Sequence, residues 1–270
     1  MKLMRSEFTK LLYQKRTYFG WAGLFVVPIL AVLALYLSRN QAHHDQGPGG
    51  FIALALHNGM YVPVAALVLL SAFLLPLLAS MAGSFPLAGE AEQGTIKTWL
   101  MHPVRRGSVL FSKWGVAVLY MAISLALVAL SAYGAGAVAF GLHAPLLLSG
   151  ASVSVAQGIW LTFLSYLFVL AGIACVLSLA LLFSTFTNSS LTAAVGALVV
   201  VIVMEILGNF SYFDFLKPYL FTSHLDAWQS LFSQPISWSP IVKGLFAFGA
   251  YIVVLMSAAW YKFRRKDILV

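Results

Sequence analysis

Long apolar runs alternate with shorter polar segments along the 270 residues of this chain. Several runs are long enough for a helix that crosses a bilayer, which needs about 20 mostly apolar residues. The runs suited to such helices are 21–37, 62–85, 114–142, 159–183, 191–208 and 241–261. The pattern therefore predicts an all-α integral membrane protein with six transmembrane helices, in which the whole chain, 1–270, forms a single membrane domain.

The start of the chain follows a different pattern. Apolar residues recur there at intervals of three and four, the spacing of one face of a helix. This stripe comprises Leu3, Met4, Phe8, Leu11 and Leu12, and most of the basic residues lie away from it. We expect an amphipathic helix that lies along the cytoplasmic membrane surface with its basic face toward the headgroups. A disordered basic tail is the alternative.

The segments expected on the far side of the membrane are rich in turn-forming or aromatic residues. Residues 38–50 end the first span with strong turn signals, and the apolar stretch after them is interrupted at 57–59. This stretch predicts a short outer helix leading into the second span, which Pro63 and Pro76 are expected to bend without ending. The aromatic-rich segment 209–240 predicts helices that dip into the outer interface.

The longest polar segment, 86–113, is expected to form the main cytoplasmic loop. Within it, Thr95 is placed to cap a short helix with one apolar side, and a break follows at His102 and Pro103. A short amphipathic helix with a charged approach is typical of a surface that docks on another protein. The candidate docking residues are Glu90, Glu92, Gly94, Thr95, Ile96, Trp99, Leu100, Pro103, Arg105 and Arg106. A solvated connector is the alternative.

The positive charges support this arrangement. Of the 16 Lys and Arg residues, 13 lie before the first span, in the polar loop or after the last span, and only Arg39, Lys217 and Lys243 fall on the other side. Because Lys and Arg concentrate on the cytoplasmic side, both ends are predicted to be cytoplasmic in an inner (plasma) membrane protein. The net charge of +8 sits in clusters beside apolar runs, which favours contact with membrane lipids and not with nucleic acid.

Motifs of common hydrolases are missing from the sequence. It has no G-x-x-x-x-G-K-[ST] loop, no G-x-S-x-G and no H-E-x-x-H, so we expect no catalytic residue and no ATPase site in this chain. His43, His44 and Asp45 are contiguous, an arrangement that favours a solvated loop over a metal site. The single cysteine, Cys175, lies in an apolar run and is expected to pack as a small buried hydrophobe.

Glu205 is a carboxylate inside the fifth apolar run. Such a group is costly in a membrane unless it is neutral, paired or in contact with water. It is therefore a candidate for the substrate pathway. Since it lies near the outer end of its span, simple contact with interfacial water is an equally good interpretation.

Taken together, these features resemble the type-2 ATP-binding-cassette exporter permeases, membrane subunits that work with a separate ATPase. The resemblance covers the basic amphipathic helix, the six spans, the E-x-E-x-G-T segment at 90–95, the turn at 103–106, the helical insertions before the last span and the F-R-R-K-D sequence at 263–267. It implies that the segment 90–106 is a coupling helix received by a cleft in the ATPase. It also implies that two permease copies face each other, with spans one, two and five lining the route.

The resemblance further implies that the chain binds no cofactor, whereas ATP and Mg²⁺ bind to the partner ATPase dimer. The second permease copy would be identical or a close relative. The apolar spans and aromatic outer segment suit an amphiphilic substrate such as a drug, an antimicrobial peptide or a lipid-like molecule. The alternative is an ATP-independent secondary transporter or channel, although neither an ionisable relay nor an inverted repeat is apparent.

Overall fold

The computed structural model describes residues 2–38, 50–94, 106–144 and 153–265. These residues are mostly helical, and no strand occurs among them. The α-helices are α1 (Lys2–Tyr13), α2 (Lys15–Ser38), α3 (Phe51–Ala55), α4 (Val62–Ser71), α5 (Leu74–Ser84), α6 (Glu90–Glu92), α7 (Arg106–Phe140), α8 (Val155–Phe186), α9 (Ser190–Asn209) and α10 (Trp238–Arg265). Short 3₁₀ helices cover Gly59–Tyr61, Ser211–Phe213 and Thr222–Phe232, and a π-helical turn, Phe85–Gly89, joins α5 to α6.

Six helical segments in the described ranges are long and apolar enough to cross a membrane, which confirms the predicted architecture. They are Thr17–Leu37, Leu74–Glu92, Arg106–Phe140, Val155–Phe186, Ser190–Asn209 and Trp238–Arg265. The fourth is the central one, because 72% of its apolar window is buried, against 17% for the first and 22% for the fifth and sixth. Spans two, three, five and six pack against α8, whereas the first span packs mainly against α7.

The prediction that prolines bend the second span without ending it is wrong for Pro76. The helix stops after α4, and Phe73 has φ −146° and ψ −48° before α5 begins. Pro76 has no N–H to donate to the carbonyl of Ala72, and its ring would clash with that carbonyl in a continuous helix. Pro63 lies in the first turn of α4, where the missing N–H costs nothing.

The polar loop is shorter than its predicted extent of 86–113. Helical structure continues through Glu92, and α7 begins at Arg106, so the first two turns of α7 belong to the third span. Charged residues in these turns had suggested a loop. The structure accommodates them because they are paired, as described below.

Helix α1 is present where the apolar stripe predicts it and packs against α7. The stripe residues Leu3, Phe8 and Leu11 are half-buried, whereas Met4 is 43% exposed. The most buried side chain of the helix is an acid, Glu7, at 7% exposure. The amphipathic pattern therefore locates the helix but misses the residue at the centre of its contact.

A hydrogen-bonded clasp at Asn58, just before the shorter apolar helix Gly59–Ser71 that leads into span two, holds the chain against the far end of span three. Its Oδ1 accepts hydrogen bonds from the backbone N–H of Met60 at 3.0 Å and of His143 at 3.2 Å, and its Nδ2 donates to the His143 carbonyl at 2.9 Å. The backbones meet directly beside it, since a Cβ on Gly59 would overlap the carbonyl of Gly136. Only glycine permits this approach.

Candidate coupling site at the ends of the spans

The ends of several helices converge on the side of the bundle that carries both described ends of the chain, here called the terminal side. Side chains from α1, α6 and α7 meet there, and the last residues of α10 lie against the first residue of α7. The predicted docking segment begins and ends on this side. Its residues Thr95, Ile96, Trp99, Leu100, Pro103 and Arg105 lie outside the described residues, and Glu90, Glu92, Gly94 and Arg106 lie within them.

Lys113 is buried between two carboxylates. Its Nζ lies 2.8 Å from Oε1 of Glu90 and 3.1 Å from Oε2 of Glu7, and only 1% of its side chain is exposed. Lys10 approaches the same acids from the outside, with its Nζ 3.4 Å from Glu90 and 3.5 Å from Glu7. We call these four residues the ion-pair cluster.

The ion-pair cluster joins three elements that are distant in sequence. Glu7 and Lys10 belong to α1, Glu90 begins α6, and Lys113 lies in α7. A buried ammonium is costly unless opposite charges and hydrogen bonds compensate it. Two acids and two bases meet here, so the formal charges balance. The α1 helix is therefore held to the bundle by charge as well as by apolar contact.

Glu92 contacts a different span. Its Oε2 accepts a hydrogen bond from the Ser190 hydroxyl at 2.8 Å and from the Ser190 backbone N–H at 3.2 Å. Ser190 is the first residue of α9, where backbone N–H groups have no partner within the helix. A carboxylate at this position satisfies one such group and interacts favourably with the helix dipole. Glu92 thus ties the end of span two to the start of span five.

Arg106 marks the other end of the docking segment. Its Nη1 donates to the backbone carbonyl of Arg264 at 3.1 Å and lies 3.4 Å from that of Phe263. These carbonyls belong to the last turn of α10, where helix carbonyls lack intrahelical donors. Arg106 therefore joins the start of span three to the end of span six.

Between these anchors, Gly94 has φ +68°, a left-handed conformation that favours glycine over residues with a Cβ. It follows α6 and turns the chain out of the helix. Both ends of the segment are thus attached to the spans through Glu90, Glu92 and Arg106. These three residues contact α1, α7, α9 and α10.

A family model described as ABC-2 family transporter protein matches residues 1–268, nearly the whole chain. The chain belongs to the ABC-2 family. This ABC-2 protein is accordingly a multi-pass membrane permease subunit of an ABC transporter, and its family implies association with an ABC ATPase. No curated protein sequence gives a significant match to it.

Sequence reasoning about this ABC-2 protein named Glu90 but missed the partners that hold it. Glu7 is the only acid before the first span, surrounded by basic residues, and Lys113 directly precedes the third apolar run. Both positions carried a usable signal, because an isolated charge next to an apolar surface tends to have a specific partner. The partner itself was not readable, since Glu7 and Lys113 are separated by 106 positions.

Glu205 lies on the exposed side of α9, near the far end of the bundle. Asp226, in the Thr222–Phe232 helix, is close enough to interact with it electrostatically. Partial desolvation raises the pKa of the Asp226 carboxyl, and its hydrogen bond with Gln229 opposes that effect. The structure therefore brings a second acid to the candidate pathway residue.

The remaining candidates from the sequence have simple placements. Cys175 is fully buried, as predicted, and its thiol lies 3.5 Å from the Phe248 carbonyl oxygen. His43, His44 and Asp45 lie outside the described residues. Within the described part of the chain, no group of three His, Cys, Asp or Glu side chains is arranged to hold a metal ion.

Proposed function

We propose that this chain is the permease of an ATP-driven exporter and that the segment 90–106 receives the force generated by a separate ATPase pair. ATP binding would draw the two ATPase subunits together, and the segment would pass this motion to the spans. The observation that carries the proposal is the double attachment of the segment. Glu90 and Glu92 hold its first end to α1, α7 and α9, and Arg106 holds its other end to α10.

The roles of the docking residues follow from this arrangement. Ile96, Trp99 and Leu100 would supply the apolar anchor in the ATPase cleft, with Arg105 at its edge. Glu90, Glu92 and Arg106 would connect that anchor to the spans. The apolar residues would decide whether the ATPase docks, and the charged contacts would decide whether docking moves the permease.

The direct test is co-purification of the full chain with a candidate ATPase, followed by measurement of ATP hydrolysis. We expect the Trp99→Ala/Leu100→Ala variant to lose stimulation of hydrolysis by the permease while keeping a folded membrane domain. A matched control is Tyr212→Ala/Phe215→Ala, which removes two exposed aromatic side chains at the far side. The proposal is wrong if the first variant transports and stimulates normally. A chain that transports without any ATPase would instead be a secondary transporter or channel.

The substrate is proposed to be an amphiphile. Spans one, five and six leave large apolar faces exposed, and α9 carries Glu205 at its outer end. A carboxylate beside an apolar face suits a molecule with an apolar body and a cationic head. We expect Glu205→Gln to weaken stimulation of hydrolysis by cationic amphiphiles more than by neutral ones. Asp214→Asn, which changes an exposed far-side acid, is the control. Equal effects on both compound classes would exclude a contact between Glu205 and the cationic head.

Two permease copies are proposed to form the pathway between them. The exposed apolar face of α9 includes Val199, which is 51% exposed. Since Cys175 is buried, Val199→Cys introduces an accessible thiol with little background. Oxidation should give a covalent dimer in membranes, whereas Leu130→Cys, exposed on α7, should not. If neither variant forms a covalent dimer, the result argues against two permease copies that meet along α9.

Both chain ends are proposed to be cytoplasmic and the protein to reside in the plasma membrane. The support is the distribution of charge along the sequence, since 13 of the 16 Lys and Arg residues lie before the first span, in the polar loop or after the last span. Fusion of a reporter that is active only in the cytoplasm should give signal at either end. Signal from a fusion in the segment 39–49 would reverse the orientation.

A further inference from the structure

Three cationic side chains at the end of α10 each lie over an aromatic side chain. Nζ of Lys262 is 5.1 Å from the centre of the Phe186 ring, and Cζ of Arg265 is 4.4 Å from that of Tyr261. Cζ of Arg264 is 5.6 Å from the Trp260 ring. All three distances lie within the range of cation–π contact, about 6 Å. We call Lys262, Arg264 and Arg265 the cation ring.

The cation ring lies at the surface of the bundle, where Lys262 reaches from α10 across to the end of span four. Phe263, the residue between the cations, is buried at 8% exposure and fixes the orientation of this last turn. The positions on either side of Phe263 therefore lie on the side of the helix that faces away from the bundle core, and all three cations are exposed. Within the described ranges, no carboxylate forms an ion pair with any of them.

The aromatic rings under the cations lie on the flank of the bundle. Phe186 ends span four and Tyr261 lies in the last part of span six, and they are 62% and 52% exposed. Aromatic side chains at the ends of spans sit at the level of the lipid headgroups. The cations above them are thus at the depth of the phosphate groups. Arg106 keeps this geometry fixed by holding the end of α10 against α7.

We propose that Arg264 and Arg265, with the Trp260 and Tyr261 side chains beneath them, form a binding site for the headgroup of an anionic phospholipid. Guanidinium groups pair with phosphate oxygens through two parallel hydrogen bonds, and the exposed rings contact the glycerol and the upper acyl chains. A phospholipid fits better than the ATPase, because a soluble partner reaches the end of the bundle and not its lipid-facing flank. The site does not depend on the transport function proposed above.

Native mass spectrometry of the full chain, released from micelles that contain phosphatidylglycerol or phosphatidylcholine, tests the proposal. We expect the protein to retain phosphatidylglycerol in preference to phosphatidylcholine. Each basic residue near a membrane surface contributes enough attraction that Arg264→Gln/Arg265→Gln should weaken retention by about tenfold or more. Arg264→Lys/Arg265→Lys keeps the charge but loses the paired hydrogen bonds, so its retention should lie between those of the unaltered protein and the glutamine variant.

The matched control is Lys217→Gln/Lys243→Gln, which removes the same charge at the far side and should leave retention unchanged. The proposal is overturned if the protein shows no preference for the anionic lipid. It is also overturned if the Arg264→Gln/Arg265→Gln variant retains as much phosphatidylglycerol as the control. Loss of ATPase binding by that variant in lipid-free detergent, with lipid retention intact, would assign the cation ring to the ATPase instead.

Discussion

The ammonium group of Lys113 lies 2.8 Å from the carboxylate of Glu90, in a position where the lysine side chain is almost completely buried. This contact holds the start of span three against the end of span two. Glu7 completes it from α1, with 3.1 Å between its Oε2 and the same ammonium. A helix at the start of the chain and the predicted docking segment therefore share one buried cation.

Removal of that cation tests how much the contact stabilises the fold. Lys113→Met leaves Glu7 and Glu90 without their buried partner, and breaking a buried pair in this way costs about 3–5 kcal/mol. We expect a loss of this size in the free energy of unfolding, measured by denaturant titration in a fixed detergent.

Two further variants interpret this result. Lys217→Met removes one partner of an exposed pair with Asp214 and should cost less than about 1 kcal/mol. The triple variant Glu7→Gln/Glu90→Gln/Lys113→Met removes the charges of both acids and of Lys113, leaving only the exposed Lys10, and should recover much of the lost stability. A triple variant less stable than Lys113→Met would mean that the two acids are not the source of the cost.

A second prediction concerns the packing of span two on span four. A Cβ on Gly83 would lie 2.6 Å from the carbonyl oxygen of Leu177 and 2.9 Å from the Cβ of Ala180. Gly83→Ala should therefore destabilise the protein by about 1–3 kcal/mol, the usual cost of overpacking. Thermal unfolding, monitored by circular dichroism, measures this loss of stability.

Gly249 provides the comparison, because nothing lies within 4 Å of the position that its Cβ would occupy. Gly249→Ala should leave stability unchanged or raise it slightly, since alanine is favoured over glycine in a helix by up to about 1 kcal/mol. If both variants melted alike, the close approach of α5 and α8 would have to be rejected.

The Asn58 clasp gives a third prediction. Asn58→Ala removes two acceptor contacts and the donor contacts to the carbonyls of His143 and Ala144, and should lower the free energy of unfolding by about 1–2 kcal/mol. Asn58→Asp keeps an acceptor for the N–H groups of Met60 and His143 but cannot donate, so its effect should be intermediate. Asn209→Ala, which removes an exposed amide, should change stability by less than about 0.5 kcal/mol. Equal losses at the two asparagines would contradict a structural role for the clasp.

The fourth prediction uses the lone thiol. Because Cys175 is fully buried between α8 and α10, a maleimide should leave it unlabelled in the native protein and label it completely after unfolding. Leu130→Cys adds a thiol at a position that is 67% exposed and should react without denaturant. Rapid labelling of Cys175 in the native protein would mean that this part of span four is exposed and not buried.

The spans were predictable because each is a local property of the sequence, a run of apolar residues of sufficient length. The break before Pro76 was also within reach, since proline acts on the carbonyl four residues earlier and therefore on Ala72. The helical ends of the polar loop could not be predicted, because Lys113 and Glu90 look like solvated charges until their ion pair is known. Long-range pairs leave no periodic signal in a single sequence.

The candidate site divides in the same way. The sequence located Glu90, Glu92 and Arg106 by their order along the chain, and the structure supplied what each one holds. Ser190, which receives Glu92, is an ordinary residue at the start of an apolar run and carries no distinguishing feature of its own. Its importance arises only because two helix ends meet.

The Asn58 clasp and the interruption at Ala72 and Phe73 have a joint consequence for span two. The clasp secures α4, the helix before the break, to the far end of span three, whereas span two itself begins after the break with α5 and ends at Glu90 and Glu92. The two helices are thus held by different elements and meet at a break in helical structure. A change in the angle between these two pieces would be taken up at Ala72 and Phe73, without loss of either attachment.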